Sequence, residues 1–299
     1  MPLNLGSASI GSLYLGSTKI AEAWRGNVKV YGSGLPPYTI RLKFQAGTTP
    51  SPRAGTVTLV SSEPNIWDYT YQNQYWDDIF RADDYYTGLD GLKITEVIDA
   101  NLTGVLRLPN AFLNATNLSS VAKISAPVCT TFTNMFSGCT NLVTVVEMVT
   151  DAAQYMGGMF HNAMKLQFGP LLSDTSNVLD MGSMFYSCLS LVEVPMGPDL
   201  YDTAKVWNFS NMFYNDSRLQ YVPLFDTSNA TGFQYLMMGG MFYGCNNVEG
   251  GALALYQQAS TQSSHVTNHD NTFYNCGQGT QTGVVELEQI PASWGGRAS

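Results

Sequence analysis

The residues of this sequence that could carry chemistry include five cysteines. They are Cys129, Cys139, Cys188, Cys245 and Cys276. An odd number at wide spacing, with no Cys-x-x-Cys pair, argues against a disulfide framework and against a zinc knuckle. Four of them recur at one position of an internal repeat, which predicts that they are compact core residues rather than metal ligands or redox groups.

Histidines and paired carboxylates are the other candidates for catalysis or metal binding. His265 and His269 lie four residues apart beside Asp270, a spacing that could place two ligands on one helical face. Their Gln, Ser, Thr and Asn neighbours favour a loop instead. The acids Asp77–Asp78 and Asp83–Asp84 suit solvated loops or helix N-caps better than a glycosidase pair. No Gly-x-Ser-x-Gly, His-Glu-x-x-His or phosphate-binding glycine loop occurs, so we predict a non-enzymatic protein without metal or cofactor.

The composition narrows the class further. Only 12% of the 299 residues are charged and 44% are hydrophobic, with a formal net charge of −9. An acidic chain without a basic patch is not expected to bind nucleic acid. No apolar run is long enough for a membrane span, and residues 1–7 do not resemble a secretory signal. We therefore expect a protein made in the cytoplasm and released by a route such as phage lysis.

An internal repeat dominates the remainder of the chain. A Met-Phe phrase recurs with its Phe at positions 112, 136, 160, 185, 213, 242 and 273, in steps of 24, 24, 25, 28, 29 and 31 residues. Apolar residues at −1, 0, +3 and +6 from that Phe predict a short helical turn with one buried face. The +3 residue is Cys or Ala in six copies, and Asp216 is the exception. A brief extended run and an Asp-Thr-Ser-Asn turn, rich in side-chain acceptors, complete the unit.

One such unit cannot bury its own apolar face, but stacked units can cover one another. The phrase Met135-Phe136, with Cys139 and Leu142 and the Asp-Thr-Ser-Asn turns, resembles the BspA-like leucine-rich repeats of bacterial and phage surface proteins, over roughly residues 90–285. Repeat and resemblance together predict an α/β repeat solenoid of about seven repeats over residues 89–299. The resemblance implies a scaffold for adhesion or interaction.

A shorter repeat opens the chain, with a period of ten residues marked by Gly6, Gly16 and Gly26. It resembles the N-terminal element of phage tail-associated and head-fibre proteins. We expect residues 1–34 to form a small all-β attachment and oligomerisation segment. The residues predicted to make the attachment are Tyr14, Leu15, Ile20, Trp24 and Val30.

Residues 35–88 are predicted to form a β-rich cap over the first repeat. Strands are expected over Tyr38–Phe44 and Thr56–Val60, on either side of a Gly/Pro-rich loop. An aromatic stretch from Trp67 to Tyr86 follows. Its alternative interpretation is a sugar-binding platform.

The +1 position of the late repeats carries a row of tyrosines, namely Tyr186, Tyr214, Tyr243 and Tyr274. Stacked repeats would align them, either merely as packing or as a binding strip for a host glycan or surface protein. We predict a bacteriophage virion structural protein, a tail or head fibre or surface decoration. It would contact other virion proteins through residues 1–34 and form a homo-oligomer, with a trimer as the usual fibre arrangement. The alternative is a bacterial BspA-like surface adhesin.

Overall fold

A computed structural model describes residues 14–15, 18–19, 23–25, 28–31, 35–51, 54–60, 63–83, 86–87, 91–195, 201–227, 235–261 and 266–298. At the N-terminus, β1 (Tyr14–Leu15) pairs antiparallel with β2 (Thr18–Lys19), and β3 (Ala23–Arg25) with β4 (Val28–Tyr31). Of the predicted attachment residues, Ile20 lies outside the described residues. The side chains of the other four, Tyr14, Leu15, Trp24 and Val30, also lie outside the described part.

The two strands predicted in the second segment are present, as β5 (Thr39–Phe44) and β6 (Thr56–Leu59). Both pair antiparallel with β7 (Ile66–Thr70), which lies between them. A small hairpin of β8 (Ala82–Asp83) and β9 (Tyr86–Thr87) and a 3-10 helix (Gly91–Lys93) follow.

The repeats form a parallel sheet with one strand per coil. Its strands are β10 (Ile94–Asn101), β11 (Ser120–Ser125), β12 (Thr144–Val149) and β13 (Leu171–Leu172). β5 pairs antiparallel with β10, so that the sheet runs in the order β13-β12-β11-β10-β5-β7-β6. Because β5 satisfies the edge of β10, the first coil does not present an unpaired strand. The predicted repeat solenoid is confirmed.

The strands shorten as the repeats lengthen. After β13 the same ladder continues as single bridges, such as Phe168 with Glu193 and Tyr221 with Gly250. The longest repeat places additional residues in α1 (Ala252–Ser260), and β14 (Leu236–Met237) pairs parallel with β15 (Val266–Asn268). The described chain ends with α2 (Gln281–Leu287) and a 3-10 helix (Ala292–Trp294). Both carboxylate oxygens of Glu286 accept backbone N–H groups at the start of α1, at 3.2 and 3.1 Å.

The segment around each Phe is a series of turns, and this corrects the α-helical form of the predicted helical turn. The turns are closed by bonds between residues three apart, for example from Ala115 N to Phe112 O at 3.0 Å. The residues two before and two after each Phe have positive φ, as at Asn110 (54°) and Asn114 (60°), so the chain cannot continue as a right-handed helix. Asn, Gly and Ser occupy these positions because their small or absent side chains make the left-handed backbone conformation less costly than it is for larger residues.

The Phe side chains form a continuous stack along the core. Centroids of successive rings from Phe112 to Phe273 lie 5.2 to 5.9 Å apart, and the interplanar angles do not exceed 12°. Phe80, within the segment predicted as the cap, stacks on Phe112 at 4.9 Å. At the other end, Trp294 lies 6.4 Å from Phe273. One aromatic column therefore joins the second segment, the coils and the C-terminal turn.

The cysteines are buried and free, as predicted. The Sγ atoms of Cys139, Cys188 and Cys245 donate to the carbonyl oxygen of the Phe one coil earlier, at 3.1, 3.1 and 2.9 Å. Asp216 occupies the same +3 position of its repeat as these cysteines and is fully buried. Its Oδ1 accepts the N–H of Cys188 at 2.7 Å, while its Oδ2 has no partner. Burial raises the pKa of Asp216 well above its usual range, which favours the protonated carboxyl group.

Buried threonines in or beside the Asp-containing turns link neighbouring coils. The hydroxyls of Thr150, Thr175 and Thr203 donate to the Asp carbonyl of the following coil at 2.9, 2.9 and 3.1 Å. Within the turns, Asp174 and Asp202 accept the N–H two residues later at 2.8 and 2.9 Å. The acceptor-rich turns thus form hydrogen bonds within each turn and also between neighbouring coils.

Candidate functional site

The four tyrosines predicted as a row form a stacked column on the surface of the solenoid. Ring centroids lie 4.8 Å apart between Tyr186 and Tyr214, 4.6 Å between Tyr214 and Tyr243, and 4.8 Å between Tyr243 and Tyr274. The interplanar angles are 2°, 6° and 20°. His161 extends the column, with its ring 4.7 Å from that of Tyr186. We call these five residues the aromatic ladder.

The backbone sets the spacing of the ladder. The carbonyl oxygen of each ladder tyrosine accepts an N–H from the preceding coil. The donors are Asn162 to Tyr186, Ser187 to Tyr214, Asn215 to Tyr243 and Gly244 to Tyr274, at 2.7 to 2.8 Å. Coils joined in this way repeat at about 4.8 Å, the distance between neighbouring strands. The rings are therefore held in register by main-chain bonds and not only by contact with one another.

Both faces of the inner rings are covered by neighbours. Tyr186, Tyr214 and Tyr243 each lie between two aromatic rings and are half-buried, so they present ring edges and hydroxyl groups to solvent. Tyr274 ends the column and is 41% exposed. Partial desolvation, with Tyr214 and Tyr274 as neighbours, raises the pKa of Tyr243. Burial lowers the pKa of His161, which favours its neutral form.

His161 is the ladder residue that sequence reasoning missed. It stands at the same +1 position as the tyrosines, directly after Phe160. The signal was therefore available in the repeat register, although the residue type differs. The ladder stops there because the +1 residue of the preceding coil is Ser137, which has no ring.

The other residues with possible chemistry are engaged elsewhere. His269 stacks on Trp294 at 4.4 Å and its Nδ1 lies 3.1 Å from Ser293 O, whereas His265 lies outside the described residues. Asp77 pairs with Arg107 at 3.1 Å. Within the described ranges, no group of three or more His, Cys, Asp or Glu residues is arranged to hold a metal ion. Burial raises the pKa of all five thiols, that of Cys129 to about 12, so these thiols stay protonated.

Two further aromatic regions lie away from the ladder. In the second segment, Tyr69 and Trp76 are buried against Phe80, so these rings are core rather than an open platform. Tyr75 beside them is 53% exposed. Near the late coils, an open cleft of about 300 Å³ is lined by a small, mainly apolar set of side chains. These are Trp207, Tyr235, Met237 and Thr267.

Comparison with known proteins places the repeats in context. A family model described as "Mycoplasma protein of unknown function, DUF285" matches residues 106–198, 130–251 and 197–283. The crystal structure of the T. pallidum leucine-rich repeat protein is similar over 66% of this chain and 86% of that protein, with 17% sequence identity and a TM-score of 0.40. No curated protein sequence matches the chain. In the described part of the chain, no helix has the length and apolar character needed to cross a membrane.

Proposed function

We propose that this chain, which belongs to the family described as Mycoplasma protein of unknown function, DUF285, is a non-enzymatic attachment protein of the bacterial surface-adhesin type. The family model matches within residues 106–283. Its ligand would be a glycan or a protein on another surface. In this proposal the solenoid is a rigid scaffold, and the aromatic ladder is the binding strip.

The single observation that carries the proposal is the continuous row of stacked, partly exposed aromatic rings on the surface of the solenoid. Thiols, buried carboxyl and threonine hydroxyls all serve the interior, while the ladder lies at the surface. Asn162, Asn215 and Asn275 directly follow three of its members. Aromatic rings beside neutral amides are suited to sugars, which offer both C–H faces and hydroxyls, and Tyr is enriched at protein interfaces for similar reasons.

A labelled full-length chain should bind saturably to surfaces that carry the ligand, measured on cells by flow cytometry. Replacing both Tyr243 and Tyr274 with alanine should weaken that binding about threefold or more, with folding checked by circular dichroism. The matched control is Phe168→Ser. Phe168 is also an exposed aromatic residue, at 52%, but it forms a β-bridge with Glu193 and is not part of the aromatic ladder. Equal binding by the double variant and the wild type would rule out the ladder as the binding strip.

A virion fibre or decoration is the second candidate, favoured by the ten-residue repeat within residues 1–34. In that case these residues would dock on other virion proteins and the chain would be a homo-oligomer, a trimer for a fibre. Antibodies against the full chain distinguish the two proposals. Labelling of intact producing cells supports the adhesin, whereas labelling of particles released by lysis supports the virion protein.

A further inference from the structure

We propose that the aromatic ladder binds at its C-terminal end, where the open face of Tyr274 stacks on the apolar face of a neutral pyranose. This inference rests on the proposed attachment function and narrows it in two respects. It assigns the ligand class as carbohydrate, and it limits the stacking contact to one ring.

The covered faces of the inner rings provide the first step. A sugar stacks on an aromatic ring only if the flat face of that ring is open. Tyr186, Tyr214 and Tyr243 have a ring within 4.6 to 4.8 Å on each side, which leaves no space for a ligand between them. Among the described residues Tyr274 has one ring neighbour, Tyr243, and its opposite face is not covered by an aromatic side chain.

The path of the last turn explains why no further ring stacks on Tyr274. Phe273 N donates to Trp294 O at 2.8 Å, so Trp294 stands where a further coil would begin. The next residue, Gly295, has φ of 88°, and a Cβ there would lie 2.5 Å from the backbone nitrogen of Tyr274. Gly296 then packs against Ile290, where a Cβ would lie 1.9 Å from the Ile290 carbonyl oxygen. Gly295 thus packs on the backbone of Tyr274 and Gly296 packs on Ile290, and glycine brings no side chain to this position. Among the described residues, no further ring follows Tyr274 in the ladder.

The same turn places a ring over the end of the inner column of phenylalanines but not over the end of the aromatic ladder. Trp294 is buried against Phe273 and stacks on His269, so the inner aromatic column ends under a covering ring. On the outer column, no second ring within the described ranges stacks on Tyr274. A ring that is 41% exposed, on a column fixed by main-chain bonds, is a preorganised surface that loses little entropy on binding.

The surroundings of Tyr274 favour a neutral sugar over other ligands. Asn271 and Asn275 lie in the same turn and supply amides that both donate and accept hydrogen bonds. The net charge of −9 disfavours acidic glycans. Quaternary ammonium groups are recognised by cages of several rings, whereas this site offers one open face.

The test uses the full-length chain on an array of neutral glycans, with methyl glycosides of glucose, galactose and mannose as soluble competitors. Tyr274→Ala should weaken glycan binding about three- to tenfold, the range expected for loss of one aromatic stacking contact. Tyr274→Phe keeps the ring face and should bind within about twofold of the wild type. Tyr214→Ala is the matched control, because it removes a ring of the same ladder whose faces are both covered. It should keep the affinity while lowering the melting temperature.

Each outcome separates the inference from the function on which it rests. If Tyr214→Ala or Trp207→Ala abolishes glycan binding and Tyr274→Ala does not, the Tyr274 platform is wrong but attachment stands. Inhibition by choline instead of the methyl glycosides would overturn the carbohydrate assignment. Absence of glycan binding by the wild type, with cell binding retained, would also overturn it. If the wild type binds neither glycans nor cells, the attachment function itself fails. A change in tryptophan emission of Tyr274→Trp on adding glycan provides a second readout at the site.

Discussion

Replacing the buried Asp216 with cysteine should stabilise the solenoid at neutral pH. Six of the seven copies carry Cys or Ala at this position, and the neighbouring cysteines donate their S–H to a Phe carbonyl oxygen. Asp216 is buried with Oδ2 unpartnered, and its pKa is raised by that burial. The unfolded chain ionises this carboxyl near pH 3.9, so folding at higher pH must take up a proton at about 1.4 kcal/mol per pH unit.

The sign and size of the effect follow from this linkage. Because the folded pKa is raised, the contribution of Asp216 to stability is most favourable below about pH 4 and is lost as pH rises toward the folded pKa. At pH 7 the proton uptake costs at most about 4 kcal/mol, so we expect Asp216→Cys to gain about 2–4 kcal/mol there. The gain should shrink as pH falls toward 4 and be smallest below it, because both states of the wild type are protonated only when the pH lies below the unfolded pKa of about 3.9.

Urea unfolding followed by circular dichroism at pH 4.5, 5.5, 6.5 and 7.5 measures this difference. Asp216→Asn is the matched control, since it keeps the size of the side chain and an oxygen for the N–H of Cys188 but cannot ionise. Both variants should show a flatter pH dependence than the wild type. A stability difference between the wild type and the two variants that stays constant from pH 4.5 to 7.5 would refute the reasoning. So would a loss of stability in Asp216→Cys at pH 7.5.

Three further predictions concern the packing of the coils. Phe160→Ala removes a ring from the middle of the stack and should lower the free energy of unfolding by about 3–5 kcal/mol in a denaturant titration; a cost below 1 kcal/mol would show that the stack closes up. Gly138→Ala should cost about 1–2 kcal/mol, because φ is 72° and the new Cβ would meet Asn114 Oδ1 at 2.2 Å; an unchanged melting temperature would contradict this. The five thiols should resist iodoacetamide at pH 8 until urea unfolds the chain, since burial raises their pKa; mass spectrometry that finds native alkylation would refute their burial.

The repeat register was readable from the sequence because every coil solves the same packing problem. A Phe every 24 to 31 residues, with Cys or Ala three positions later, requires a column of rings beside a column of small side chains. The alignment of Tyr186, Tyr214, Tyr243 and Tyr274 followed from the same register. The strands β5 and β6 were also predicted, since alternation of apolar and polar residues reports one buried face directly.

Other features depended on backbone conformation, which spacing alone does not reveal. Apolar residues at −1, 0 and +3 fit a helical turn equally well, and only the positive φ angles on either side of each Phe exclude a helix. Asn, Gly and Ser at those two positions were the available signal. Phe80 was not recognised as part of the column because the step from it to Phe112 exceeds every later step in the repeat series.

The sequence by itself therefore determined that the chain stacks, in which register, and which residues line its core. The tertiary structure decided which ring faces remain open. Within the described residues, Tyr214 has a stacked ring on both faces and Tyr274 on one, although the two residues occupy the same repeat position. The physical reason is that exposure of a ring depends on the coil that follows it. At the last coil, Gly295 packs on the backbone of Tyr274 although it lies far from the tyrosine in sequence, and it brings no ring to continue the stack, so Tyr274 is 41% exposed.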